Sequence, residues 1–171
     1  MKTFFLFAAF SVSSLVYAQK RDSLQFSLPE KYHLHLKEKQ EDDRMVMMEY
    51  IPEGQNWDNY EIIVTKLVSK NLAQVPLQTF FDNNKKLLQS KTKNLRIKEL
   101  SRNKKGEREY ILFTAEADAY RDSEDTESQI QYYVKGENDV FMCMAALKKK
   151  NLPADFVEEW SKVFLQSRII K

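Results

Sequence analysis

Cysteine, histidine and glycine are nearly missing from this chain of 171 residues: one, two and three of them, beside four prolines. The lone Cys143 excludes an intramolecular disulfide and any Cys-x-x-Cys pair. In an oxidising compartment such a cysteine is expected to be a buried, inert thiol. Three glycines leave almost nothing from which to build a phosphate-cradling loop, and neither Gly-x-Ser-x-Gly nor His-Glu-x-x-His occurs. A dominant charge is missing too. The formal net charge is +2, without the concentrated basic face that nucleic acid demands, so no nucleic-acid partner is expected. There is no internal repeat and no Pro/Gly/Ser linker. After the N-terminal segment, no apolar run approaches the roughly 20 residues of a membrane span.

What is present begins with an export signal. Lys2 supplies a positive start, residues 4–10 (FFLFAAF) are continuously apolar, and Val12, Leu15 and Val16 extend the run. Val16-Tyr17-Ala18 is a small-x-small cleavage pattern, and the chain then turns polar at Gln19-Lys20-Arg21-Asp22. That order marks a secretory signal peptide over residues 1–18, leaving one domain over 19–171. The alternative is an uncleaved N-terminal anchor. With no cysteine beside the cleavage point, lipid modification is not expected. The mature chain is expected to be periplasmic or secreted, with no stable membrane insertion after cleavage. Its oligomeric state stays open.

Hydrophobic periodicity then alternates between two and three-and-a-half. Leu24, Phe26 and Leu28 alternate, as do Tyr32, Leu34 and Leu36, with Pro29 between the runs; both read as strands. Residues 37–43 read as a turn, 44–51 (RMVMMEYI) and 61–68 (EIIVTKLV) as strands, and Pro52-Glu53-Gly54 as a stop. From Pro76 the period lengthens: Leu77, Phe80, Phe81, Leu87 and Leu88 define one face of an amphipathic helix. Strands are expected over 95–100 and 110–117 around a turn at Gly106, and over 129–135 and 140–147 around Gly136. Pro153 opens a last helix. Phe156, Val157, Trp160, Val163, Phe164 and Ile170 line its face, while early acids and late Arg168 and Lys171 suit the helix dipole. Consecutive hairpins and two one-sided helices predict an α+β domain. Its antiparallel sheet has about six or seven strands, flanked by a mid-chain helix and a C-terminal helix.

The segment Glu49-Tyr50-Ile51-Pro52-Glu53-Gly54-Gln55-Asn56-Trp57-Asp58-Asn59-Tyr60, followed by 61–68, resembles small exported bacterial proteins. Those proteins share a strand, a Pro-x-Gly turn, an Asn-Trp or Asp-Trp pair and a Thr/Val-rich strand. They are similar to the PsbP-like fold of DcrB-type periplasmic proteins. The resemblance implies a curved antiparallel sheet flanked by helices over most of residues 23–171. It implies no activity, because a fold alone does not fix function.

Several groups are candidates for chemistry. Trp57 and Tyr60 follow a turn and form either an aromatic lip for a ligand or a clamp closing the end of the sheet. His33 and His35 stand two apart, which on a strand puts both on one face. They could begin a metal site but are expected to face solvent. Met45, Met47, Met48, Met142 and Met144 invite a copper(I) reading, against which stands core packing in strands. Asp118, Asp122, Glu124, Asp125 and Glu127 form an oxygen-rich loop that matches no calcium motif and is expected to be a solvated connection. Cys143 has no visible base to activate it. Lys148-Lys149-Lys150 reads as a solvated strand end.

The function expected from these features is an exported, non-catalytic binding or assembly module of the bacterial cell envelope. It is not an enzyme, and no cofactor or metal is expected. Its partner would be an envelope protein or a small apolar ligand. The alternatives are a hydrolase-type enzyme with a site assembled from distant residues, or a periplasmic metal-binding protein using His33 and His35.

Overall fold

The computed structural model describes residues 22–104 and 108–170. The export signal expected over 1–18 and the turn expected at Gly106 lie outside the described residues, as does Lys171. The chain runs β1 (Ser23–Gln25), a 3-10 turn (Glu30–Tyr32), β2 (Leu34–Glu41), β3 (Met45–Pro52), β4 (Ile62–Ser69) and α1 (Leu77–Lys91). Then come β5 (Thr92–Lys93), β6 (Arg96–Asn103), β7 (Tyr110–Glu116), β8 (Ala119–Tyr120), β9 (Ser128–Lys135), β10 (Val140–Leu147), α2 (Ala154–Leu165) and β11 (Arg168–Ile170).

Seven strands form one antiparallel sheet in the order β2-β3-β4-β10-β9-β7-β6. It is two meanders joined where β4 pairs with β10. Both helices contact β9, one on each face of the sheet. Side chains alternate across a strand, so β9 is split between two cores. Ile130, Tyr132 and Val134 pack with Phe156, Trp160 and Phe164 of α2. Tyr133 packs with Leu77, Phe80, Phe81 and Leu88 of α1. The α+β architecture with a mid-chain and a C-terminal helix is therefore present, with seven strands in the main sheet.

The differences from expectation have local causes. Residues 37–43 are not one long turn: β2 continues to Glu41, and the reversal is tightened at Asp42, whose Oδ1 accepts the N–H of Arg44 (2.7 Å) and Met45 (2.8 Å). An edge strand with solvent beside it does not need apolar alternation to pair. The alternation of Leu24, Phe26 and Leu28 yields only a short strand, β1, which pairs with β11. Tyr32 belongs to the 3-10 turn rather than to a strand. The last helix stops at Leu165, so Arg168 and Ile170 lie in β11 and not on its face. Its end is closed by the Arg108 guanidinium, which donates to the carbonyls of Leu165 (3.0 Å) and Phe164 (3.1 Å). Helix C-terminal carbonyls lack intrahelical partners and favour a cation. On α1, Leu87 is 50% exposed rather than packed.

Residues 22–29 form a strap across the face of the sheet that carries α2. Asp22 Oδ2 accepts the N–H of Glu137 (2.5 Å) and Asn138 (3.0 Å), pinning the strap to the β9–β10 turn. Leu24 is 1% exposed and belongs to the α2-side core. Gly136 has to be glycine here, because a Cβ would collide with Asp22 Oδ2 and come within 3.0 Å of the Phe141 ring.

Candidate functional site

The loop between β3 and β4 is built by its own side chains. Gly54 takes φ +79°, the left-handed region that glycine enters without strain. Asn56 Oδ1 accepts Asp58 N–H (2.9 Å), Asn59 Oδ1 accepts Asn56 N–H (2.7 Å), and Gln55 Oε1 accepts Glu61 N–H (2.8 Å). Asx turns of this kind hold a loop without help from the core. The outcome separates the two aromatic candidates. Trp57 is 39% exposed. Tyr60 turns inward against Ile51, Ile63 and Ala146 and closes that end of the sheet.

Tyr60 also organises charge. Its hydroxyl donates to Glu127 Oε2 at 3.0 Å, and Lys148 Nζ lies 3.9 Å from its ring centroid. Lys148 donates in turn to the carbonyl of Asp58 at 3.0 Å. Burial, with Glu127 beside it, raises the Tyr60 phenol. Burial and the same carboxylate push Tyr120 up to about 12. The Glu127 carboxyl is itself raised, chiefly by burial, against the opposing pull of the Tyr60 hydroxyl and the Lys148 charge. The group is an acid held between two tyrosines beneath an aromatic loop.

Glu127 was expected to be solvated with the rest of its loop, and the structure corrects that. Asp122, Glu124 and Asp125 are exposed and Asp118 pairs with Arg96 at 2.7 Å, but Glu127 is half-buried. A signal for it did exist. Glu127, Gln129 and Gln131 occupy alternate positions leading along β9, a polar stripe on a strand buried at seven of its eight positions. Gln131 Oε1 accepts from Tyr133 OH (2.6 Å) and Asn84 Nδ2 (3.0 Å), and Gln131 donates to Gln129. Buried polar groups are kept only when such partners exist.

The other candidates find plainer places. His33 takes φ 46° at the end of the 3-10 turn while His35 lies in β2, so they do not share a strand face; both are exposed. Among the described residues, no group of three or more His, Cys, Asp or Glu is arranged to hold a metal ion. The five methionines are half-buried rather than interior. Met142 packs against the α1-side core and Met144 against Ile51 and Ile63, whereas Met48 lines a cleft. Cys143 is fully buried and its thiol is pushed up to about 12 by that burial.

Two clefts flank the strap. The larger, about 1520 Å³, lies between sheet, strap and α2. Tyr50 and Lys66 face it from the sheet, Phe26 and Leu28 from the strap, and Val163 and Lys162 from the helix. The smaller, about 230 Å³, lies on the other side of the strap and is lined by Val46, Met48, Val68 and Phe141, with Lys39 and again Lys66. Lys66 is the residue common to both sheet floors. It is half-buried, its Nζ donates to the carbonyl of Leu24, and desolvation lowers its pKa.

The class these features define is an α+β domain with one seven-stranded antiparallel sheet, a helix on each face and an open, strapped cleft. No protein-family model matches this chain, and no curated protein matches it. Among the described residues, no helix is long and apolar enough to cross a membrane.

Proposed function

We propose that the chain is an exported, non-catalytic binding module of the bacterial cell envelope, periplasmic or secreted. Its ligand is a small apolar molecule held between sheet and helix. The observation that carries this reading is the cleft of about 1520 Å³ bounded by the sheet, the strap and α2. Ligand sites are characteristically concave, and this cleft sets an apolar strip of Phe26, Leu28, Tyr50 and Val163 among more numerous polar and charged residues. The order of Lys2, the apolar run and Val16-Tyr17-Ala18 supports export, and the likeness of residues 49–68 to the PsbP-like fold of DcrB-type proteins supports an envelope role.

The test is native mass spectrometry of the protein gently purified from the envelope fraction of its host. The expected result is an intact mass matching cleavage after Ala18, with a small molecule bound one to one. A Val163→Trp variant, which fills the cleft, should lose that molecule and keep its fold. A mature chain that carries nothing, or a ligand that Val163→Trp retains, overturns the reading.

A second reading, a hydrolase-type enzyme, has one observation in its favour. Glu127 is a carboxylate with a raised pKa among Tyr60, Tyr120 and Lys148, and perturbed groups cluster at catalytic sites. Hydrolysis of a panel of ester and glycoside substrates that stops in Glu127→Gln would favour it.

A further inference from the structure

Lys66 stands where the fold has no need of a cation. It lies in β4, third in a sheet of seven strands, and its face is the core-facing one. Val64 and Val68, two residues to either side, belong to or pack on the α2-side core, and its cross-strand partners are Met48 and Cys143. A desolvated ammonium in such surroundings costs stability unless something compensates it.

Nothing in the described protein compensates it fully. The carbonyl of Leu24 takes one of three N–H groups. Most carboxylates around the two clefts are engaged elsewhere; of the others, Asp155 accepts the N–H of Phe156 (2.9 Å) and Glu30 is exposed to solvent. Glu41 pairs with Lys39 (2.8 Å) and Lys70 (3.0 Å). Asp22 takes the backbone of Glu137 and Asn138, and Asp139 takes Asn71 N–H (2.8 Å). Glu158 pairs with Lys162 (2.6 Å), and Glu159 with Lys31 (2.9 Å) and Tyr32 (2.8 Å). The thiol of Cys143 stays neutral and cannot serve as counter-ion.

We infer that Lys66 is the anion-binding group of the cleft, and that the ligand is a single-chain amphiphile whose carboxylate pairs with it. The inference rests on the cleft being the ligand site. The carboxylate enters between strap and sheet to reach Nζ, and the acyl chain lies along Phe26, Leu28, Tyr50 and Val163. A narrow chain with a terminal charge fits a lysine roofed by backbone. The cleft volume exceeds what a headgroup alone needs. The paired charges of α2 at the rim stay in water, where they need no further partner.

Dodecanoate and dodecanol, titrated below their aggregation limits into the mature protein, separate charge recognition from apolar binding. The expected result is one-to-one binding of dodecanoate at least tenfold tighter than dodecanol. Lys66→Met should lose that preference while binding dodecanol as the wild type does, and Lys66→Arg should keep most of it. Equal affinity for the two probes in the wild type overturns the assignment of Lys66 and leaves the cleft reading standing. So does a preference that survives Lys66→Met. Failure of both probes to bind overturns the amphiphile, while the native mass measurement judges the cleft independently. Should Lys66→Met not fold, the wild-type ratio of the two affinities decides alone.

Discussion

The two halves of the sheet are built to different standards. On one side, β10, β9 and β7 are covered on both faces; β9 is buried at seven of eight positions and β7 at five of seven. On the other, β2 has no fully buried residue and β3 has one, Ile51. Both helices crossed to the same strand, so stability is concentrated there. The half left open carries Tyr50, Lys66, Met45, Met47 and Met48, and at its end the Trp57–Tyr60 loop. A surface left uncovered by its own helices is where a binding protein has room for something else.

The sharpest way to break this contrast is to remove the centre of the covered half. Trp160 is fully buried; Phe156 and Phe164 ring centroids lie 6.1 and 5.4 Å from its own, and Tyr32 stacks at 6.0 Å. Trp160→Ala should cost about 3–5 kcal/mol in urea unfolding, since the cavity cannot collapse under a sheet. A loss below about 1 kcal/mol, the ordinary size of a point-mutant effect, would mean the covered half is not the stabilising one.

Next in size is Arg108→Met. It removes the donors to Phe164 and Leu165 and the bond to Ser167 Oγ (2.5 Å), and it uncaps α2. About 1–3 kcal/mol should be lost. Far-ultraviolet circular dichroism should show fraying of the last turn while the sheet signal is kept.

Glu127, beside the polar stripe of β9, sharpens the comparison through pH. Burial raises its carboxyl above the ordinary 4.5. As pH rises past that value the unfolded chain releases the proton first, so the folded state holds more protons and loses stability until the raised value is passed. Glu127→Gln keeps an acceptor for Tyr60 but cannot ionise. Its stability relative to wild type should therefore improve as pH rises past the ordinary carboxyl value and level off above the raised one. Chemical denaturation at a series of pH values checks this; a gap that stays constant or closes would show that the carboxyl is not desolvated.

Much of this architecture could be read before any coordinates. Apolar and β-branched runs located β3 and β4, the segments around the Gly136 turn and after Gly106 located β7, β9 and β10, and Pro76 and Pro153 located the starts of both helices to within a residue. What escaped were features that local patterning does not encode. The β1–β11 pair joins the two ends of the described chain, and alternation at Leu24 and Phe26 marks a strand without naming its distant partner. The polar second half of β2 looks like a turn because an edge strand has solvent for a neighbour. The site was less legible still. Trp57 and Tyr60 were visible as aromatics after a turn, but Glu127 reaches Tyr60 across 67 positions. Lys66 drew no reading within the β-branched strand 61–68, because what covers it is the strap, 42 residues away in the chain.

The smallest effect tests the contrast most directly, because it compares two residues in one row of one face. Leu36 pairs with Tyr50, Tyr50 with Val64, Val64 with Ala145, and Ala145 with Ile130. The row therefore runs from the open edge to the buried centre. Ile130 is 0% exposed and Leu36 is 48% exposed. Ile130→Ala should cost about 2–5 kcal/mol. Leu36→Ala, a deletion of the same number of carbons, should change stability by no more than about 0.5 kcal/mol. If Leu36→Ala proves comparably costly, the open half is covered in solution, and sedimentation analysis of the wild type would then reveal the second copy that covers it. If the two differ as expected, Leu36, unlike Leu34 of the same strand, takes no part in packing within the protomer.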